Sequence, residues 1–180
     1  MELINGCIKK DRRAQQQLYG TYAPRFFGVC SRYIKDQRDA EDVLVTAFFK
    51  IFENIENYSG KGNFEGWMQR IVVNECLQFL RIKTNFHMVV DLEEADPEEP
   101  LRADQDMEVK EILAMVDKLP TGYGTVFNLY VIEGYKHREI ADMLSISIHT
   151  SKSQLRFAKM RLKEMLDDHS RNQFVQDNAV

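Results

Sequence analysis

Hydrophobic residues recur at intervals of three and four along the first half of the chain, which is the spacing of one helical face. This pattern predicts helices over residues 14–33 and 39–55, with a short helix before them at residues 2–9. A turn-forming break containing two glycines follows at residues 58–63, and a further helix is expected from residue 64 to about 83. The first half is therefore predicted to be helical throughout.

The second half repeats the same pattern in shorter pieces. Four helices are expected there, over residues 107–119, 123–133, 136–144 and 148 to about 167. Pro120 ends the first of them, and Gly134 follows the second, where it suits a left-handed C-terminal cap. No segment of four to eight residues alternates with the period of a strand. The sequence predicts an all-α protein with two small helical domains.

An acidic segment separates the two halves. Residues 91–106 read DLEEADPEEPLRADQD, hold two of the four prolines and contain no aromatic residue. Such a composition buries too little apolar surface to offset the entropy lost on ordering. We expect a flexible acidic linker over residues 87–106, between domains spanning residues 1–86 and 107–180. A carboxylate site for a metal would need histidine partners at fixed spacing, which this segment lacks.

Composition limits the class of protein further. The apolar share of 44% can form a core, and no apolar run approaches the length needed to cross a bilayer. The N-terminus carries no apolar stretch, so we expect no secretory signal. The three cysteines are far apart in sequence, and Cys30 and Cys76 are interpreted as buried apolar residues rather than a disulfide framework. These features predict a soluble cytoplasmic protein without metal or cofactor.

The net charge of −4 conceals an uneven distribution. Residues 135–163 hold seven Lys and Arg against two Asp and Glu. Screening limits the reach of a charge to about 10 Å at ordinary ionic strength, so the local net charge determines which ligands this stretch attracts. A basic stretch in an acidic protein can still bind phosphate.

The basic stretch has the spacing of a helix-turn-helix. Ile140, Ala141 and Leu144 form the expected inner face of its first helix, and a turn of three residues ends at Ser147, which is placed to cap the second helix. Two residues are expected to anchor the second helix internally: Ile148 and Leu155. Five are expected to project outward: His149, Thr150, Lys152, Ser153 and Arg156. Such a helix can enter a major groove, with Lys159, Arg161 and Lys163 on phosphates. The alternative is an ordinary helical hairpin with a basic solvated face.

Five motifs carry a resemblance to a known family. They are DAEDVLVTAFFKIF (residues 39–52), FEGWMQRIVVNECLQFLR (64–81), LP (119–120), EGYKHREIADMLSIS (133–147) and TSKSQL (150–155). In order and spacing they resemble bacterial RNA polymerase sigma factors of the extracytoplasmic-function (ECF) group. The resemblance covers residues 2–168 and implies promoter-specific transcription initiation, with recognition of the −10 and −35 promoter elements.

The resemblance also implies roles for particular residues. It assigns contact with the polymerase clamp to Asp39, Glu41, Asp42, Val45, Thr46, Phe49 and Lys50. It assigns the −10 element to Tyr58, Phe64, Trp67, Arg70, Asn74 and Arg81, with Lys83 as a further phosphate contact. It assigns the −35 element to Ser147, His149, Thr150, Lys152, Ser153, Arg156, Phe157 and Lys159.

Within the −10 set, Tyr58 is expected to receive an everted base, in a loop that leaves its ring accessible. Asn74 lines the facing helix, where an asparagine is unfavourable by propensity and therefore suggests a specific polar task. Phe64 and Trp67 are interpreted as packing residues in preference to DNA contacts, because aromatic side chains are usually buried.

The sequence departs from the family pattern at several positions. Val45 and Thr46 stand where the family usually carries a Gln-Glu pair, so two polar groups are absent from the polymerase-binding helix. Ser151 stands where the family has Val. Gln154 and Phe157 replace basic residues of the recognition helix.

The expected partners are core RNA polymerase, promoter DNA and an anti-sigma factor, with no small-molecule substrate and no direct membrane insertion. Catalysis is not expected, because the four histidines are scattered and no nucleophile follows a strand. The remaining alternative is a stand-alone helix-turn-helix regulator that binds duplex DNA without polymerase. It would leave the first ninety residues without a role.

Overall fold

The computed structural model describes residues 2–84 and 109–177, and every regular element in these two ranges is helical. The chain divides into two compact units after residue 86. The predicted all-α class is confirmed. The segment predicted as an acidic linker, residues 87–106, lies outside the described residues.

The described residues of the first unit, 2–84, form four α-helices. They are α1 (Glu2–Ile8), α2 (Arg12–Tyr33), α3 (Gln37–Asn54) and α4 (Phe64–Thr84), and a 3-10 turn (Ile55–Asn57) follows α3. Aspartates start two of the helices, because their side chains accept hydrogen bonds from first-turn N–H groups that have no partner within the helix. The Asp11 carboxylate accepts from the N–H groups of Arg13 and Ala14, and Asp36 accepts from Arg38 and Asp39.

Burial of one face of each long helix forms the core of the first unit. Fully buried side chains come from α2, α3 and α4, and they include Leu18, Phe26, Phe48, Ile51, Met68, Val72, Val73 and Cys76. The Phe48 ring lies 6.0 Å from the Phe26 ring and 4.6 Å from the Tyr19 ring, centroid to centroid. The aromatic pair Phe26–Phe48 therefore joins α2 to α3 within this core.

Within the described part of the first unit, α4 is connected to its neighbours by ion pairs at three points along its length. Arg25 of α2 pairs with Glu65, Asp39 of α3 pairs with Lys83, and the Lys50 ammonium of α3 lies 2.7 Å from the Glu75 carboxylate. They lie near the start, the end and the middle of α4, so they fix its register against α2 and α3.

The second unit also consists of helices. They are α5 (Val109–Val116), α6 (Thr121–Phe127) with a π-helical turn after it (Asn128–Ile132), α7 (His137–Leu144) and α8 (Ile148–Asp177). Its core comprises Val126, Leu129, Ile140, Leu144, Leu155, Ala158 and Leu162. The turn between α7 and α8 is residues 145–147, as predicted, and Ser145 takes the left-handed conformation there with φ of 56°.

Three helix ends in the second unit differ from the prediction, and the other described boundaries agree with it within two residues. α5 ends at Val116, because residues 117–119 turn before Pro120, and its predicted start at residue 107 lies outside the described residues. The helix predicted to run to residue 133 becomes π-helical after Phe127 and ends before Gly134, whose φ is 79°. α8 continues ten residues beyond Asp167, because no glycine or proline follows to end it.

Among the described residues, no helix combines the length and the apolar character that a bilayer span requires.

Two adjacent phenylalanines give a direct test of this packing. Phe48 is 1% exposed and Phe49 is 63% exposed. We expect Phe48→Ala to lower the free energy of unfolding by about 3–5 kcal/mol, because it removes a buried ring and leaves a cavity. Phe49→Ala is the matched control and should change it by about 0.5 kcal/mol or less. Urea denaturation of the two variants measures both values, and equal losses would contradict the described orientation of α3.

Candidate nucleic-acid and polymerase interfaces

Three aromatic rings cluster where the 58–63 loop meets α4. Ring centroids of Tyr58 lie 5.0 Å from Phe64 and 5.7 Å from Trp67, and Phe64 and Trp67 stack at 5.6 Å. All three side chains are half-buried. The Tyr58 ring, which is expected to be accessible in its loop, therefore keeps part of its surface exposed and packs with the rest against two aromatic residues of the first turn of α4. The packing interpretation of Phe64 and Trp67 agrees with these contacts.

The loop itself is held by glycine geometry and one hydrogen bond. Gly60 and Gly62 adopt φ of 71° and 86°, in the left-handed region that other residues rarely enter. The Tyr58 hydroxyl donates to the Gly62 carbonyl at 2.8 Å, and the Asn63 side chain accepts from the Glu65 N–H at the start of α4. The loop therefore presents its aromatic residue in a fixed orientation.

A polar stripe runs along the outer side of α4 from this aromatic cluster. Arg70, Asn74 and Gln78 are exposed at intervals of four residues, and Arg81 is exposed further along. Residues at this spacing share one helical face. Asn74 thus lies in solvent, with its amide available for a ligand.

The outer side of α3 combines acidic and apolar groups. Glu41, Asp42, Val45, Thr46 and Phe49 are all exposed, and Val45 and Phe49 are 58% and 63% exposed. The two apolar side chains lie one turn apart on this face. Together they form a small exposed apolar patch among the acidic and polar side chains of α3.

The other two residues assigned to the polymerase already have partners within the unit. Asp39 pairs with Lys83, and Lys50 pairs with Glu75. The hydrogen bond that the Lys83 ammonium donates to the Asp39 carboxylate raises the pKa of Lys83, and the carboxylate charges of Asp39 and Asp36 act in the same direction. Asp39, Lys50 and Lys83 thus serve the packing of α3 on α4.

The start of α8 has the predicted cap. The Ser147 hydroxyl accepts from the Thr150 N–H at 2.9 Å and shares a 2.8 Å hydrogen bond with the Thr150 hydroxyl. Ser147, His149 and Lys152 are exposed, and Ser153, Arg156 and Lys159 are half-buried. These six side chains form the accessible set on the first three turns of the helix.

Two expected orientations on α8 are wrong. Thr150 is 5% exposed rather than projecting outward, because its hydroxyl closes the cap on Ser147. Ile148 is 43% exposed rather than an internal anchor, because it occupies the first helical position beside the turn. Leu155 is buried as predicted.

Phe157 packs within the unit. Its ring stacks on Tyr123 of α6 at 5.6 Å, and the Arg156 guanidinium lies 5.0 Å above it on the cation–π face. Phe157 therefore joins α8 to α6 and positions Arg156, which is a different task from the DNA contact assigned to it.

The sequence analysis did not identify a polar contact inside the helix-turn-helix. His137 Nδ1 of α7 lies 2.8 Å from Ser151 Oγ of α8, and the Tyr130 ring stacks on the His137 ring at 4.4 Å. The signal was present in the sequence, since Ser151 stands where the family has Val. The replacement of an apolar residue by a hydroxyl at a core position calls for a partner.

The cysteines are buried, as predicted for Cys30 and Cys76. A hydrogen bond with Cys76 lowers the pKa of the Cys30 thiol, against the opposing effect of burial. Burial raises the pKa of the Cys7 thiol.

Comparison with known proteins gives these surfaces a context. The sigma-70 region 2 family model matches residues 18–85, and the sigma-70 region 4 model matches residues 110–162. Between them they cover more than half of the chain, in the order predicted. The two regions and their order are those of a transcription initiation factor. The chain belongs to the ECF group of bacterial RNA polymerase sigma factors.

Several curated relatives support this placement. The ECF RNA polymerase sigma factor SigE of Mycolicibacterium smegmatis is 29% identical over 86% of this chain, and the match spans 62% of that relative's length. The ECF sigma-E factor of Haemophilus influenzae is 23% identical, with 92% of each chain covered. SigW of Bacillus subtilis is 25% identical over 89% of this chain and 92% of its own.

Two solved structures share the fold. One is CnrH in complex with the cytosolic domain of CnrY, with a TM-score of 0.52 and 19% identity over 92% of this chain and 96% of that one. The other is the sigma factor RpoE of Bartonella quintana in complex with the anti-sigma factor NepR, with a TM-score of 0.53 and 17% identity over 84% and 96%.

Lys152 gives a test of the −35 surface. As an exposed cation on the second turn of α8, it can contact phosphate or a base edge. For a phosphate contact, we expect Lys152→Ala to weaken binding to all duplexes alike and to reduce the salt slope of log K by about 0.9. For a base contact, it should cost about 1–3 kcal/mol and relax preference at one position.

The measurement is duplex binding by the full chain across a salt series. Lys118→Ala is the matched control, because Lys118 is also exposed in the second unit but lies outside the basic stretch. Unchanged affinity, slope and preference in Lys152→Ala would exclude this residue from the interface.

Proposed function

We propose that this chain directs core RNA polymerase to specific promoters through three separate surfaces. The observation that carries the proposal is the presence of sigma-70 regions 2 and 4, in that order, on one chain. A stand-alone regulator would need only the second. In this proposal residues 1–86 bind core polymerase and the −10 element, residues 107–180 bind the −35 element, and residues 87–106 connect them.

The outer face of α3 is the proposed contact with core polymerase. Glu41, Asp42 and Thr46 supply polar groups, and Val45 and Phe49 supply apolar area. Burial of one such apolar side chain contributes about 1.5–3 kcal/mol. The apolar pair therefore compensates for the polar groups of the usual Gln-Glu pair, which Val45 and Thr46 replace.

The aromatic cluster and the polar stripe of α4 are the proposed contact with the −10 element. An unpaired base stacked on an aromatic ring gains about 1–3 kcal/mol, which offsets the few kcal/mol needed to unstack it. Tyr58 offers such a ring from a fixed loop, Asn74 offers hydrogen bonds, and Arg70 and Arg81 are suited to phosphates. Since Tyr58 packs on Phe64 and Trp67, the three rings act as one platform.

The accessible set on α8 is the proposed reader of the −35 element. His149 and Lys152 are exposed near the helix start, where a recognition helix approaches base edges. Arg156 and Lys159 follow on later turns, where phosphates are closer.

An anti-sigma factor is a further proposed partner. CnrH and RpoE of Bartonella quintana were each solved with a protein partner, which in the second case is an anti-sigma factor. The exposed apolar pair on α3 is a surface that such a partner could cover in competition with polymerase. The proposal places the chain in the cytoplasm and gives it no catalytic role of its own.

The proposal is tested by transcription with purified components. The chain plus core polymerase should yield a defined transcript from a cognate promoter without another sigma factor. Phe49→Ala should weaken core binding by roughly 10- to 100-fold, because burial of a phenyl ring is lost. Ile82→Ala is the matched control, since Ile82 is 75% exposed in the same unit but lies on α4. If core polymerase does not bind the wild-type chain at low salt, the proposed function is wrong.

The role of Asn74 in melting has its own test. Asn74→Ala should leave folding and polymerase binding unchanged, because the side chain is exposed, and it should impair open-complex formation on duplex promoters. A template unpaired at −10 should restore activity only in part, since the bases must still be held. Permanganate footprinting of unpaired thymines measures the effect, with Gln16→Ala, an exposed amide on α2, as control. A wild-type footprint from Asn74→Ala would refute the assignment.

A further inference from the structure

Two polar side chains meet in the interior of the helix-turn-helix. His137 occupies the first position of α7, and Ser151 lies on the second turn of α8 and is 0% exposed. The 2.8 Å contact between Nδ1 and Oγ is the polar link described above between these two helices. A buried hydroxyl without a partner is costly, so this contact is required once Ser151 is present.

A third residue holds the histidine in place. The Tyr130 ring lies nearly parallel to the imidazole, at 22° and 4.4 Å between centroids. Tyr130 belongs to the π-helical turn that ends α6, and such turns occur often at functional sites. The His137 ring is therefore fixed on its face by Tyr130 and at its Nδ1 edge by Ser151.

This arrangement is directional, unlike the apolar contacts around it. Leu155 and Ala158 hold α8 against the core, but the hydrophobic effect that buries them is non-directional. A hydrogen bond weakens steeply when its angle changes. A 20° rotation of a helix moves a side chain at its outer radius of 5–6 Å by about 2 Å, whereas specific contacts need placement within about 0.5 Å.

We propose that the Tyr130–His137–Ser151 contact sets the rotation of α8 about its axis and so determines which α8 side chains reach base edges. His137 and Ser151 are positioning residues: they touch no DNA and act through Lys152 and His149, which neighbour Ser151 on the exposed side. The inference rests on the proposed −35 role of α8. It predicts that loss of the contact reduces sequence preference rather than general DNA affinity.

The test uses the full chain assembled with core polymerase and two duplex probes. One probe is selected by the wild-type holoenzyme from a library randomised in the −35 region, and the other is its scrambled counterpart. We expect Ser151→Ala to lower the ratio of the two affinities roughly three- to tenfold, the size of one hydrogen bond. Affinity for the scrambled duplex should change less than twofold.

Conservative variants separate positioning from simple stability. His137→Phe keeps a ring for Tyr130 but loses the hydrogen bond, so it should lower the ratio as Ser151→Ala does. The double variant should be no worse than either single one, because both remove the same contact. Ser151→Thr keeps the hydroxyl and should restore the ratio. Ser31→Ala is the control, because the Ser31 hydroxyl bonds only a carbonyl of its own helix, that of Phe27 at 3.0 Å.

The outcomes are distinguishable. If the wild type discriminates between the probes and both single variants discriminate equally well, the positioning role is overturned while the proposed function stands. If the variants lose thermal stability and bind both probes more weakly by the same factor, the contact serves folding only. If the wild-type holoenzyme itself selects no sequence, the proposed function fails and this inference with it. Should Ser151→Ala fail to fold, His137→Phe and Ser151→Thr decide the question.

Discussion

The burial of one face of α4 is the constraint on which the first unit depends. Its inner face contributes Met68, Val72, Val73, Cys76, Leu77 and Leu80 to the core against α2 and α3. Because a helix repeats every 3.6 residues, this choice of buried positions directs residues 70, 74 and 78 to the opposite side. The polar stripe that is proposed to read promoter DNA is therefore a geometric consequence of the core. No separate element is needed to present it.

Both units combine apolar packing with polar contacts that fix register. Apolar burial supplies most of the driving force, but it is non-directional and permits sliding. In the first unit Lys50–Glu75 and Asp39–Lys83 tie α3 to α4, and in the second unit His137–Ser151 ties α7 to α8. Each pair joins two helices whose outer faces must hold a defined orientation. The energy of such contacts is modest, and their value lies in selecting one arrangement among several of similar packing.

The positions of the helices and most of their buried faces could be predicted from the sequence, because hydrophobic periodicity follows burial directly. The sequence also located the turn at residues 145–147 and the cap at Ser147. The prediction was wrong at the start of α8, where Thr150 is buried and Ile148 is exposed. Thr150 is buried despite its polar side chain because its hydroxyl bonds the capping residue Ser147. Two aromatic contacts were also not predicted: the packing of Tyr58 on Phe64 and Trp67, and the packing of Phe157 on Tyr123. Periodicity places a residue on a face, but it does not identify the partner on another element.

The charge distribution limits how much of promoter recognition this chain can perform alone. The basic stretch of residues 135–163 offers seven cations, and only some of them lie on the exposed side of α8. Each phosphate contact contributes a counterion-release term that weakens with salt, so a surface with few such contacts holds duplex DNA weakly at physiological ionic strength. The net charge of −4 adds repulsion at longer range where salt is low. The proposed binding of α3 to polymerase changes this balance, because it turns the proposed −10 and −35 contacts into linked intramolecular events with a high effective concentration. Weak intrinsic DNA affinity then favours specificity, since the free chain is not sequestered by non-specific DNA and acts where polymerase and both promoter elements are present together.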